Sequence, residues 1–167
     1  MEQITGLDIF KNHFIEHKHK YVLIGGSACY LNLQEQGLGF GRTTKDLDIV
    51  LLLDVDRVDA EFTNALWQFV EIGEYKIKQR SGKPVFYRFE NPQNKTFPAM
   101  IELFSRKLES LTLHGDSVCT PIPAEDELSS LSAILLNNDY YNLITDNCKT
   151  VNDIQIFENE TRIKNTP

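Results

Sequence analysis

Two aspartates separated by one residue, Asp46-Leu47-Asp48, stand at the start of an apolar run, Ile49 to Leu53. On a strand, residues i and i+2 point to the same face, so the two carboxylates project together and Leu47 enters the opposite layer. Adjacent carboxylates repel, and one is driven towards protonation unless a cation lies between them. Hard oxygen donors at this spacing suit Mg²⁺ or Mn²⁺. Upstream, the apolar run Tyr21-Val22-Leu23-Ile24 ends in Gly25-Gly26-Ser27 and a segment of small and apolar residues. Gly25 and Gly26 let backbone approach a ligand closely, and a helix that starts there presents unpaired N–H groups and a positive dipole end. Phosphate at the turn and metal at the aspartates describe a nucleoside triphosphate site. Either half alone has an ordinary reading, as a simple turn or a solvated strand edge. Their order, each against an apolar run, favours the chemical reading.

Strand, Gly-Gly-Ser, helix, then Arg42-Thr43-Thr44-Lys45-Asp46-Leu47-Asp48 resembles the signature of the nucleotidyltransferase superfamily, whose fold DNA polymerase beta shares. The pattern is most similar to the bacterial AbiEii-like group, toxins of toxin–antitoxin systems, and to related nucleotidyltransferases. It covers residues 21–54 well and fades beyond Ser105. Nineteen residues separate Gly26 from Asp46, more than is usual in the superfamily, which an insertion around Gln34–Gly41 explains.

The resemblance implies a third carboxylate on a neighbouring strand. Glu102, alone among apolar residues in Met100-Ile101-Glu102-Leu103-Phe104, fits that place; the ordinary alternative is an exposed edge-strand glutamate. Asp46, Asp48 and Glu102 are thus the candidate catalytic and metal-binding residues. Gly25, Gly26, Ser27, Lys45, Arg80 and Lys83 are the candidate nucleotide-binding residues, with Arg88 near the same hairpin. Asp139-Tyr140-Tyr141-Asn142-Leu143 is similar to a D-Y-Y-D-L element of the AbiEii-like proteins. Two departures accompany it: Asn142 replaces an acid, and Leu128 to Ala133 lacks the lysine that helps hold phosphates there.

The implied function is metal-dependent transfer of a nucleoside monophosphate to a hydroxyl acceptor, tRNA or protein, with a cognate antitoxin as partner. The alternative is a weak or inactive member of the fold that binds a nucleotide or a partner protein. In the family a larger helical domain often follows, so the chain reads as a short member or a piece of a longer one.

A net charge of −7 over 167 residues argues against a partner as extended as duplex DNA, which demands a basic face. Neither a membrane-length apolar run nor a signal-peptide core is present, so a cytoplasmic protein is expected. Cys29, Cys119 and Cys148 are odd in number and scattered, and read as buried free thiols.

The elements that must position the site follow from periodicity and turn chemistry. A helix is expected over Leu7–Lys20, a strand over Tyr21–Ile24, a helix over Ser27–Gln36 and a strand over Lys45–Leu53. A helix capped by Asp56 runs over Arg57–Ile72. Three strands follow at Glu74–Arg80, Pro84–Glu90 and Ala99–Phe104. The leucines at 128, 131 and 135 predict a helix over Glu125–Asn137, and the tail from Val151 reads as one more helix. Within the first helix, His13-Phe14-Ile15-Glu16-His17 spells the H-x-x-E-H of inverted zinc peptidases, a competing reading. The expected fold is α/β (α+β) of the nucleotidyltransferase type. It comprises a short mixed twisted sheet with helices mainly on one face, residues 1–120 forming the main domain and 121–167 a helical extension.

Overall fold

A computed structural model describes residues 4–39, 44–53, 59–80, 83–106, 119–121 and 131–158. The chain is an α/β protein built on a mixed, open sheet. Helix α1 (Leu7–His13) and a single 3₁₀ turn (Ile15–His17) lead into β1 (Tyr21–Ile24) and α2 (Gly25–Glu35). Then come β2 (Asp46–Leu51), α3 (Ala60–Gly73), β3 (Lys76–Arg80), β4 (Lys83–Glu90) and β5 (Met100–Ser105). The remaining elements are β6 (Cys119–Pro121), β7 (Ser132–Leu135), α4 (Asn138–Asp146), β8 (Cys148–Val151) and β9 (Ile154–Phe157).

The strands lie in the order β3-β4-β5-β2-β1-β9-β8. β1 and β2 are adjacent and run antiparallel with Tyr21 opposite Leu51 and Ile24 opposite Asp48. β2 pairs with β5 in parallel, and β1 with β9 in parallel. On its other edge β5 pairs with β4 as far as Glu102; β7 then takes over that edge at Phe104 and Ser105.

Alternation divides the side chains of these strands between two cores. Leu47, Ile49 and Leu51 join Tyr21, Leu23, Ile101 and Leu103 on one face, under Leu31 of α2 and Phe62, Leu66 and Phe69 of α3. Phe10 and Phe14 from the first helical segment complete this layer. On the opposite face Val22, Ile24, Val50 and Phe157 pack against Tyr141 and Ile144 of α4. Helices therefore crowd mainly one face, and α4 covers part of the other.

Several boundaries differ from expectation for local reasons. Gly6 caps α1 at φ +78°, and the helix ends at His13 because the chain tightens into the 3₁₀ turn. The α3 cap is Asp59, whose carboxylate accepts from the Phe62 amide; Asp56 lies outside the described residues. Burial opposes the charge of Asp59, but the Lys20 ammonium and the Phe62 amide outweigh it and hold its carboxyl below the usual range.

The C-terminal part corrects the expected helical extension. Ser132–Leu135 is a strand, because the edge of β5 beyond β4 leaves backbone groups that need partners; residues 125–130 lie outside the described residues. Downstream, β8 and β9 form a hairpin whose two turn residues, Asn152 and Asp153, both have positive φ, the geometry that joins twisted strands tightly. Pairing of β7 with β5 and of β9 with β1 ties these strands into the sheet across the boundary expected at 121. Among the described residues no helix is long and apolar enough to cross a membrane.

Candidate active site

The parallel register of β2 and β5 sets Asp48 directly beside Glu102. On its other side Asp48 faces Ile24, the last residue of β1, so the glycine turn borders the carboxylate pair. Arg88 on β4 extends the same row beyond Glu102. Asp46 lies one step towards the start of β2, opposite Met100, and is exposed. The order across the sheet is thus Ile24, Asp48, Glu102, Arg88, all on the face away from α3. Along this face Val22, Ile24, Val50 and Phe104 close against Tyr141 and Ile144, so this apolar layer borders the carboxylate row at Ile24.

Gly25 makes this proximity possible twice over. Its φ is +68°, and a Cβ placed on it would stand 2.8 Å from the Asp48 carboxylate oxygen. An L side chain there meets both backbone strain and a collision with the site's central acid. Gly25→Ala is expected to lower stability by about 1–2 kcal/mol and to displace Asp48. A urea melt checks the first, and the pH midpoint of the Asp48 carboxyl by NMR checks the second. Gly26 is exposed, and a Cβ on it would meet the Thr44 hydroxyl at 2.9 Å. Thr44, from the segment before β2, therefore lies across the start of α2. Thr44 stands in the motif Arg42–Asp48 but was not among the candidate nucleotide-binding residues.

The electrostatics are those of crowded acids. Burial, then the neighbouring charges of Glu102 and Asp46, push the Asp48 carboxyl up to about 6, with Arg88 working the other way. Arg88 Nε lies 3.3 Å from Glu102 Oε2 and 3.9 Å from Glu90 Oε2, and donates to Met100 Sδ at 3.0 Å. Arg88 was only a peripheral candidate in the sequence, because the register that sets it opposite Glu102 is a tertiary fact.

The other expected contacts divide. Ser27 is fully buried, and its hydroxyl donates to the Ile24 carbonyl at 3.2 Å instead of facing the carboxylates. The cause is local: helix α2 begins at Gly25 itself, so Ser27 already belongs to the first turn and its hydroxyl bonds back to the preceding strand. Lys45 is exposed immediately before Asp46. Arg80 and Lys83 pair by backbone across β3 and β4, and their side chains lie outside the described residues. In α4, Asn137 caps the helix, Asp139 and Asn142 are exposed, and Tyr141 is buried with the Arg106 guanidinium 5.1 Å from its ring centroid. That element serves the second core, which borders Asp48 at Ile24 and Val50.

The zinc-peptidase spelling does not survive the fold. His13 and His17 straddle the break between α1 and the 3₁₀ turn, so they lack the helical i, i+4 geometry. His13 Nε2 is engaged with the Ala65 carbonyl at 2.7 Å, and the His17 ring packs on Phe62.

Among the described residues no three His, Cys, Asp or Glu side chains converge into a ready-made metal cage. Mg²⁺ seldom needs one, since it is commonly held by one or two carboxylates together with water and substrate phosphates. A half-buried acid raised by two like charges is the donor set whose repulsion such a cation relieves, so the residues present fit it. A polar cleft of about 260 Å³, bordered by Asp8, Lys11, Gln34 and Asp153, lies at the opposite end of β1 and takes no part in this arrangement. Compared with known proteins, the chain matches no family model, no curated protein and no solved structure.

Proposed function

We propose that this chain is a metal-dependent nucleotidyltransferase with the nucleotidyltransferase fold, transferring a nucleoside monophosphate from a nucleoside triphosphate to a hydroxyl acceptor. The observation that carries this reading is the in-register contact of Asp48 with Glu102 beside a glycine turn that opens a helix. Asp48 and Glu102, with the exposed Asp46 at the mouth, would hold Mg²⁺ or Mn²⁺ together with water and phosphate oxygens, and the ion when bound would lower the pKa of the acceptor hydroxyl and neutralise triphosphate charge. The unpaired amides at the start of α2, reached past Gly25 and Gly26, receive phosphate oxygens. Thr44 rather than Ser27 supplies a hydroxyl there, and Lys45 adds charge at the mouth. The acceptor oxygen attacks the α-phosphorus, the bond from that phosphorus to the bridging oxygen breaks, and pyrophosphate leaves. Asp48 or Glu102 takes the acceptor's proton, and positioning with charge neutralisation supplies the rate. Resemblance to the AbiEii-like group supports reading the chain as the toxin of a toxin–antitoxin pair, with tRNA or a protein as acceptor and an antitoxin as partner.

A second reading, a fold member that binds a nucleotide or a partner protein without turnover, is favoured by the absence of a lysine from Leu128 to Ala133 and by the inward turn of Ser27. One assay separates the two. Protein, Mg²⁺ or Mn²⁺ and each α-labelled nucleoside triphosphate are incubated with total cellular RNA and protein, with Asp46→Ala/Asp48→Ala protein as control. Label on an acceptor with wild type only is the expected result, and it names nucleotide and target together. Triphosphate binding without label under any condition supports the second reading. Absence of both overturns the proposal and leaves only the fold.

A further inference from the structure

Arg88 is placed as if it stood in for a cation. It lies directly opposite Glu102 in the β4–β5 register, with Nε 3.3 Å from Oε2, and Glu102 in turn lies directly opposite Asp48. The ion pair is largely sheltered: the side chains of Arg88 and Glu102 are 30% and 18% exposed. Its other contacts hold it only lightly. Glu90 is 3.9 Å away and more exposed, and the sulfur of Met100 is a weak acceptor.

From this geometry we infer that Arg88 is a resident counter-ion: it neutralises Glu102 when no metal is bound and sets the affinity of the carboxylates for a divalent cation. The inference rests on the metal-binding reading of Asp46, Asp48 and Glu102. A fixed guanidinium beside Glu102 both repels an incoming cation and occupies one of its oxygen ligands, so binding a metal requires Arg88 to give up Glu102. The guanidinium is long-stemmed and always charged, so once displaced it remains a cation at the edge of the site, available to triphosphate oxygens. Metal and triphosphate then assist one another's binding through Arg88, because each favours the arrangement in which Glu102 is free. Arg88 acts here as a positioning residue and takes no part in bond making.

The test is direct binding of Mn²⁺ alone, followed by the electron paramagnetic resonance signal of free Mn²⁺ at neutral pH, with no nucleotide and no turnover. Arg88→Gln and Arg88→Met remove the charge with different packing, so that one can stand in if the other folds poorly; Arg88→Lys keeps the charge. Loss of one positive charge near the site is expected to tighten Mn²⁺ binding about tenfold in either neutral variant, and Arg88→Lys is expected to stay near wild type. Each neutral variant should also melt lower than wild type without metal and gain more from saturating Mn²⁺. Equal or weaker Mn²⁺ binding in the neutral variants, with wild type binding normally, overturns the counter-ion role and leaves the metal reading intact. If neither wild type nor any variant binds Mn²⁺, the metal reading fails and this inference with it.

Discussion

Asp48→Asn protein is expected to melt higher than wild type and to transfer nucleotide about a thousandfold more slowly. Both effects have one cause. Burial and the charges of Glu102 and Asp46 push the Asp48 carboxyl up to about 6, above its unfolded value, so the folded protein holds that proton more tightly than the unfolded chain does. A group with a raised pKa contributes stability that is complete below the unfolded carboxylate value and disappears as pH rises through the folded one. At pH 7 the metal-free protein therefore carries Asp48 charged at a cost. The full shift corresponds to about 3 kcal/mol, and solvent screening at this partly exposed group reduces it to about 1–2 kcal/mol.

Asparagine removes the charge and keeps the shape, so the midpoint rises by about 3–6 °C at neutral pH in a chain of this size. Wild type should gain stability on acidification from pH 7 to 4, and the variant should stay flat across that window except for what other groups contribute. Mg²⁺ should stabilise wild type more at pH 8 than at pH 5, because protons compete for the same oxygens. Calorimetry across pH, with and without Mg²⁺, reads all three. A variant less stable than wild type at pH 7 would mean that Asp48 is a structural acid, and the site would lose its central member. A midpoint that rises when the charge is removed would favour function over packing as the reason for an acid in this place.

Phe69→Ala is expected to remove about 3–5 kcal/mol of stability while leaving the chemistry intact in the molecules that remain folded. Phe69 sits at the centre of the aromatic layer beneath the sheet. Its ring centroid is 4.9 Å from Phe97, 5.5 Å from Phe14 and 5.7 Å from Phe10. With Ile49, Ile101 and Leu103 it borders one small apolar gap, so the residues that back onto the carboxylate strands rest on it. Truncation removes buried apolar surface and opens a void that α1, α3 and the sheet cannot all collapse to fill. A drop in melting temperature of about 10 °C is expected. Transfer activity per folded molecule, measured well below the new midpoint, should change little, since Asp48 and Glu102 point to the other face. A loss below about 1 kcal/mol would show that the layer repacks, and that α3 is not what fixes β2 and β5.

These two substitutions mark the two faces of the same strands, and what the sequence reveals divides along that line. The apolar runs at Tyr21 and Ile49, the lone Glu102 in the apolar run of Ala99–Phe104 and the glycine turn were readable because they are local: strand patterning and backbone freedom act over a few residues. That Asp46 and Asp48 share a face needed only the pleat. Leu128, Leu131 and Leu135 misled for the same reason. Their spacing suits a helix, yet Ser132–Leu135 is drawn into a strand by the unfilled edge of β5, and no local signal reports that demand. Asn152-Asp153, read as part of a polar tail, is the turn of a hairpin that finds its partner at β1, well over a hundred residues away in the chain.

By itself, then, the sequence determined which residue types were available for chemistry and which local elements would carry them. Tertiary structure alone decided their company. Parallel pairing of β2 with β5 chose Glu102 as the neighbour of Asp48, antiparallel pairing with β4 set Arg88 against Glu102, and the first turn of α2 turned the Ser27 hydroxyl inward and left Thr44 over Gly26. The physical reason is register: a shift of one residue between strands exchanges their faces, and only the packed cores on both sides of the sheet fix it.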